Sequence, residues 1–264
     1  MQLLVAGGTG TSGRVLARRA AAAGHHPRVL ARSTSRGTTD RQRLVHGDLT
    51  TGAGLDEAVD GVDAVVDLSN ISTARYQPAK AFFTTATDHL FAAEQRAGTP
   101  HHLTLSIVGV DRFPSAYYRA KLDQEAAVVA ASIRTGVGHS IVRATQFYDF
   151  VALVLQRFRV GRLVVAPPLQ SQPVHLDDVA DHLLDVLTHG PAGHAPELGG
   201  PQPLYVPDMV REYARLVDPT VRVLPAPLFG AARRANSSGV LRPVAGVRGE
   251  RTFDQWLMEL TRAN

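Results

Sequence analysis

From the first residues to about residue 144, short apolar runs alternate with longer stretches whose apolar positions recur every three or four residues. "QLLVAG" reads as a first strand, and residues 12–23 as a helix ending at Gly24. "HPRVLAR" and "RLVHGD" read as the second and third strands, "AGLDEAVDG" as a short helix and "DAVVDLS" as the fourth strand. A long amphipathic helix over 78–97 is stopped by "AGTP", and "HHLTLSIVGV" follows as a fifth strand. The spacing predicts a helix over 115–132 and a sixth strand at "GHSIVRA". Strands that are apolar nearly throughout, separated by helices, predict a parallel sheet covered on both faces. The expected fold is therefore α/β, a Rossmann-type doubly wound parallel sheet, whose ligands bind beyond the carboxyl ends of the strands.

After about residue 146 the rhythm loosens. Prolines 167, 168, 173, 191, 196, 201, 203 and 207 punctuate shorter elements, with helices expected at 177–189, 207–217 and 252–262. The expected organisation is a nucleotide-binding core over 1–146 and a smaller lobe over 147–264, packed as one compact unit. That lobe is where a pocket for a small-molecule substrate is expected.

Composition narrows the possibilities. A hydrophobic fraction of 44% and a charged fraction of 20% are ordinary for a globular protein. No apolar run approaches the ~20 residues that a spanning helix needs. The opening "MQLLVAGGTG" lacks the charged start of a signal peptide, and the chain has no cysteine, so a cytoplasmic protein is expected. The net charge of +4 is spread among acids, without a basic block or interleaved aromatics, which argues against nucleic acid. One local excess stands out. Residues 14–43 hold eight arginines against the single acid Asp40, as suits an anionic small ligand.

"VAGGTGTSGRVLARR" places a glycine-rich turn directly between a strand and a helix. Gly7, Gly10 and Gly13 permit a tight turn, close approach of backbone to a pyrophosphate, and tight helix packing. Helix-start N–H groups then face the anion, so Gly7, Thr9, Gly10, Thr11, Ser12 and Gly13 are expected to line a dinucleotide site. An NAD-preferring site usually has an acid at the end of the second strand. Here that strand runs into "VLARSTSR", with Arg32, Ser33 and Arg36, a set that suits a 2′-phosphate and hence NADP(H).

"SAYYRAKLDQE" then carries one of the chain's two lysines, Lys80 being the other. On a helix, Tyr117 and Lys121 share a face. No histidine or acid cluster has a metal-ligand spacing, and the pairs His25–His26 and His101–His102 are expected to be solvated. The acids of "VHLDDVADHLLDVL" read as dipole-favourable residues at a helix start and a solvated face.

Together, the glycine loop, "HGDL", "FPSAYYRAKLDQE", "ATQFYDF" and "QPVHLDDVADHLL" resemble an atypical short-chain dehydrogenase/reductase, of the NmrA-like, NAD(P)H-binding reductase branch, over nearly the whole chain. The resemblance implies that Asp48 accepts from the adenine amino group, that Leu49 packs on the ring, and that Leu68 and Ser69 line the ribose. It implies that Lys121 binds the nicotinamide ribose and favours the tyrosinate of Tyr117, the proton donor. Gln146 and Phe147 would border the nicotinamide and the substrate. Two departures are visible. The superfamily's catalytic serine is often the second of a pair, but here Ser106 is followed by Ile107, so Ser106 either polarises the substrate or caps the strand. Tyr118 also stands next to Tyr117 and could compete as the acid. The implied activity is NADPH-dependent reduction of a carbonyl, quinone or related electrophile. The alternatives are a non-catalytic NADP(H) sensor and an epimerase or isomerase that retains its cofactor. Neither the oligomeric state nor the substrate is legible.

Overall fold

The computed structural model describes residues 1–33 and 43–263. In chain order the elements are β1 (Gln2–Ala6), α1 (Thr11–Ala22), β2 (His26–Ala31), β3 (Arg43–His46), α2 (Leu55–Val59), β4 (Ala64–Asp67), α3 (Tyr76–Ala97) and β5 (His101–Ile107). They continue with α4 (Ala116–Thr135), β6 (Gly138–Ala144), α5 (Phe150–Arg157), β7 (Arg159–Val160), β8 (Leu163–Ala166), β9 (Gln170–Ser171) and α6 (Leu176–His189). The last are β10 (Gly193–His194), β11 (Glu197–Gly199), β12 (Leu204–Tyr205), α7 (Val206–Val217), β13 (Arg222–Pro225), α8 (Gly230–Ser237), β14 (Gly246–Arg248) and α9 (Phe253–Ala263).

The chain forms two compact units. The first comprises residues 1–106, 115–143 and 179–195. Its strands run in the order β3-β2-β1-β4-β5-β6, with β10 beside β6, and the pairings β1–β2, β1–β4, β2–β3, β4–β5 and β6–β10 are parallel. This is the doubly wound order, in which the strand sequence reverses between β1 and β4. Both faces are covered. Leu4 and Ala6 pack with residues of α2 and α3, while Leu3 and Val5, which alternate to the other face, are equally buried. Arg19 of α1 donates to both carboxylate oxygens of Asp181 on α6, at 2.8 and 2.7 Å, and so ties those two helices together. The protein is thus a Rossmann-like α/β fold with a mostly parallel sheet flanked by helices.

The second unit comprises residues 107–114, 144–178 and 196–264. Within it β11 pairs with β14 in parallel, and β13-β8-β7 form a small mixed sheet. Its core gathers Tyr148 and Val151 near α5, Val164 of β8, Met209 and Val210 of α7, and Phe253 and Trp256 of α9. Tyr148 is fully buried, and its hydroxyl donates to the Arg251 carbonyl at 2.8 Å.

All six sequence-predicted strands and the helices expected up to residue 132 are present, with ends displaced by a few residues. Helices α5 and α8 were not expected. "FVALVLQR" is apolar at most positions, and "GAARRANS" is only eight residues long and buries none of them, so neither stands out as an amphipathic helix of ordinary length. The histidine pair at the start of β5 also differs from expectation. His101 is 4% exposed and bonds Ser140 Oγ, while fully buried His102 bonds Glu94 Oε1 and Thr104. Each ring finds polar partners inside, which offsets the cost of its burial. The acids of α6 are likewise engaged rather than merely solvated: Asp181 holds Arg19, and Asp178 holds Arg251.

Candidate cofactor and catalytic site

The strand reversal between β1 and β4 is where such a sheet opens a crevice. Two segments leave the sheet there, Gly7–Gly10 after β1 and Leu68–Asn70 after β4. They lie against each other so closely that only glycine fits: Gly7 has φ +72°, and a Cβ on it would stand 2.5 Å from the Leu68 carbonyl oxygen. Gly13, on the first turn of α1, is equally constrained, since its Cβ would lie 2.4 Å from both the Gly7 oxygen and the Gly8 α-carbon. The turn closes through Gly10 N–H to Gly7 O at 3.0 Å. Gly10 is the N-cap of α1, no side chain caps the helix there, and no acid occupies its first turn. An anion placed at that end meets unopposed N–H dipoles.

Arg32 and Ser33 follow β2 and are exposed, and Arg36 lies outside the described residues. After β3, the Asp48 carboxylate accepts from the Thr50 N–H at 2.8 Å and hydroxyl at 2.6 Å. Those bonds, with a smaller contribution from the Arg32 charge, hold its pKa below the usual carboxylate value. Leu49 is half-buried beside it, and its carbonyl bonds His89 Nδ1.

Asp67 ends β4 and links the segment after that strand to α4. One carboxylate oxygen accepts the Ser69 N–H at 2.9 Å, and the other accepts from Gln124 Nε2 at 2.9 Å. Gln124 Oε1 in turn accepts from the Lys121 ammonium, which also donates to the Leu105 carbonyl on β5 at 2.8 Å. Lys121 is 5% exposed and sits 4.8 Å from the centre of the Phe83 ring. Burial lowers its pKa to about 8, against the opposing charges of Asp67 and Glu125. Tyr117, one turn earlier on α4, stands edge-on to the same Phe83 ring at 6.0 Å. Its hydroxyl donates to Asn70 Oδ1 at 2.8 Å. Burial pushes the phenol up to about 12, with the Asn70 bond pulling the other way. At that value the phenol stays protonated at neutral pH.

Two side-chain oxygens nearby are buried without a hydrogen-bond partner: Ser69 Oγ and Ser106 Oγ. Orphaned buried hydroxyls are uncommon and call for a reason. A ribose or nicotinamide edge in the crevice would supply their partners. The glycine cradle, the uncapped helix and these hydroxyls fit a dinucleotide. Gln146 and Phe147 belong to the second unit, where Gln146 bonds Ser171 Oγ and Phe147 bridges to Val174.

Asn70, Asp67 and Gln124 were not selected as site residues from the sequence, although "DLSN" and "KLDQE" contain them. Asn70 is 47 residues from Tyr117, and Asp67 is 57 from Gln124, so no local spacing could have connected them.

Fold and site together define a dinucleotide-binding protein of the Rossmann type. The NAD(P)H-binding family model matches residues 7–190, most of the chain. The chain belongs to that family. No curated protein sequence matches it. Among solved structures, it is similar to MoeE5 in complex with UDP-glucuronic acid and NAD, with 19% identity over 100% of this chain and 99% of that one and a TM-score of 0.76. The UDP-Glc/GlcNAc 4-epimerase of Campylobacter jejuni aligns over 100% and 99% at 14% identity and a TM-score of 0.75. A short-chain dehydrogenase/reductase superfamily protein from Agrobacterium tumefaciens with bound NAD aligns over 100% and 97% at 19% identity and a TM-score of 0.71. At these identities the likeness is one of fold. Among the described residues, no helix is long and apolar enough to cross a membrane.

Proposed function

We propose that this protein is an NADPH-dependent reductase in which Tyr117 protonates the oxygen of a carbonyl, quinone or related electrophile. The observation that carries the reading is the Tyr117–Asn70 hydrogen bond. Asn70 continues the segment whose backbone touches the glycine turn, so the phenol is anchored to the same crevice that would receive the pyrophosphate. Gly7, Thr9, Gly10, Thr11, Ser12 and Gly13 would hold that pyrophosphate, Arg32 with Ser33 and Arg36 the 2′-phosphate, and Asp48 with Leu49 the adenine. Leu68 and Ser69 would line the ribose, with Gln146 and Phe147 bordering the nicotinamide and substrate. When bound, NADPH supplies the hydride.

The chain's own contribution is a proton and a fixed geometry. A phenol raised to about 12 is fully protonated at neutral pH and still transfers its proton readily to a far more basic alkoxide. Such a donor favours reduction over oxidation, which would require the tyrosinate. Lys121 is held by Leu105 and Gln124, and from there it would meet the nicotinamide ribose and restore charge balance as Tyr117 loses its proton. Ser106, with its orphaned hydroxyl, would donate to the same substrate oxygen. A second reading, an epimerase with retained cofactor, draws support from the similar structures that bind or interconvert nucleotide sugars.

The test is NADPH oxidation against a panel of carbonyls and quinones, followed by Tyr117→Phe. Turnover should fall by about two to four orders of magnitude with the NADPH dissociation constant unchanged. Unaltered turnover would remove Tyr117 from the chemistry. Substrate conversion without net NADPH consumption would favour the epimerase, and tight NADPH binding without turnover on any panel member would favour the sensor.

A further inference from the structure

The second unit contains an open pocket of about 810 Å³ that none of the candidate cofactor or catalytic residues lines. It is bounded by Pro168 and Gln170 around β9, Tyr205 of β12, Pro225 at the end of β13 and Leu228 beyond it, and side chains of α8 and the segment after it. Its walls are pinned. Asn236 of α8 accepts the Gln170 N–H at 2.8 Å and donates to the Pro168 carbonyl at 3.0 Å, and the Ala226 N–H donates to Ala166 O at 2.8 Å. Two guanidinium groups, Arg233 and Arg242, face this space, and among the described residues no acid lines it. Neither arginine has a side-chain partner among the described residues, and Arg242 Nε is a buried donor with none. Elsewhere the chain pairs its arginines readily, as with Arg19–Asp181, Arg143–Glu125 and Arg251–Asp178. The two guanidiniums at this pocket have no such partner, and leaving the buried Arg242 Nε donor unsatisfied is costly.

We infer that this cavity binds an organic anion, a carboxylate or phosphate monoester carried on an apolar body. The charge assignment comes from the two arginines, whose planar donor forks match both oxyanions. The apolar body follows from the rest of the wall, the proline rings, Leu228 and the Tyr205 ring. The volume is that of a site for a molecule of ordinary metabolite size and far exceeds what a lone inorganic ion fills. This inference does not rest on the reductase reading, because the residues that carry it lie outside the assigned cofactor site.

The experiment is calorimetric titration of the full chain with 2-naphthoate, 2-naphthyl phosphate and neutral 2-naphthol, with and without saturating NADPH. Both anions should bind at least about tenfold more tightly than the alcohol, whether or not NADPH is present. Arg242→Gln and Arg233→Gln should each weaken the anions by roughly tenfold and leave 2-naphthol unchanged. Arg233 is exposed, so its replacement does not threaten the fold, and thermal melting of both variants checks this. Equal affinity for all three probes would overturn the inference, as would variants that bind the anions like the parent. Complete displacement of the anions by NADPH would place them in the dinucleotide crevice and overturn it as well. If NADPH itself fails to bind, the reductase reading falls while the comparison of naphthyl probes still decides the cavity.

Discussion

Gly13→Ala sets two physical effects against each other. Gly13 is buried within α1, and a helical glycine replaced by alanine gains about 1 kcal/mol from propensity alone. The added methyl, however, would stand 2.4 Å from the Gly7 oxygen and 2.4 Å from the Gly8 α-carbon, where ordinary contact begins at 3.4 Å. Both neighbours are backbone atoms of the turn that would hold the pyrophosphate, so relief requires helix and turn to part by about 1 Å. Such overpacking costs ~1–3 kcal/mol or more, enough to reverse the propensity gain. Net of the propensity gain the loss is up to about 2 kcal/mol, so in a chain of this length the melting midpoint should fall by up to roughly 8 °C. NADPH affinity should drop by at least about tenfold, because the same movement carries the helix N-terminus away from the phosphates. Gly10→Ala is the internal control for stability alone: its Cβ would meet only the Gly7 oxygen, at 3.2 Å, a strain the turn can absorb. Scanning calorimetry with and without NADPH reads both quantities. A Gly13→Ala protein that melts higher than the parent and binds NADPH normally would refute the close packing of helix on turn.

Tyr117→Phe should abolish nearly all turnover while sparing NADPH affinity, measured by single-turnover kinetics beside a binding titration. Arg32→Ala should weaken NADPH by about tenfold and NADH by far less, and equal weakening would remove the 2′-phosphate from Arg32. The buried Lys121 should leave a pH signature in stability. Its folded pKa of about 8 lies below its unfolded value of about 10.4, so between these the unfolded chain binds more protons and stability rises with pH. Compared with Lys121→Met, the parent should gain up to ~3 kcal/mol in denaturant stability across that window, and a flat difference would show that the ammonium is not desolvated.

The readings that the sequence supported were those whose causes are local. A strand, a glycine turn and a helix start occupy the first 22 residues, and steric limits on the backbone require small residues wherever such a turn is tight. Continuous apolar strands separated by helices leave few arrangements besides a covered parallel sheet. Tyr117 and Lys121 share a helix, so their spacing was visible, but the direction each takes was not. Tyr117 turns to Asn70, while Lys121 turns into the core toward Leu105 and Gln124, because burying an ammonium demands acceptors that only the folded chain brings within reach.

The same reason explains the histidines of β5. Their polarity suggested solvent, but Ser140, Glu94 and Thr104 satisfy them, the first two arriving from another strand and a helix. The cavity of the second unit shows the limit most clearly. Its walls come from residues 168 to 242, with no repeated spacing, and neither arginine differs in sequence from its many neighbours. Hydrophobic period and backbone sterics act over a few residues and can be read along the chain. Whether a charge ends with a partner, without one, or beside a cavity depends on contacts between distant segments, and those were decided only when the chain folded.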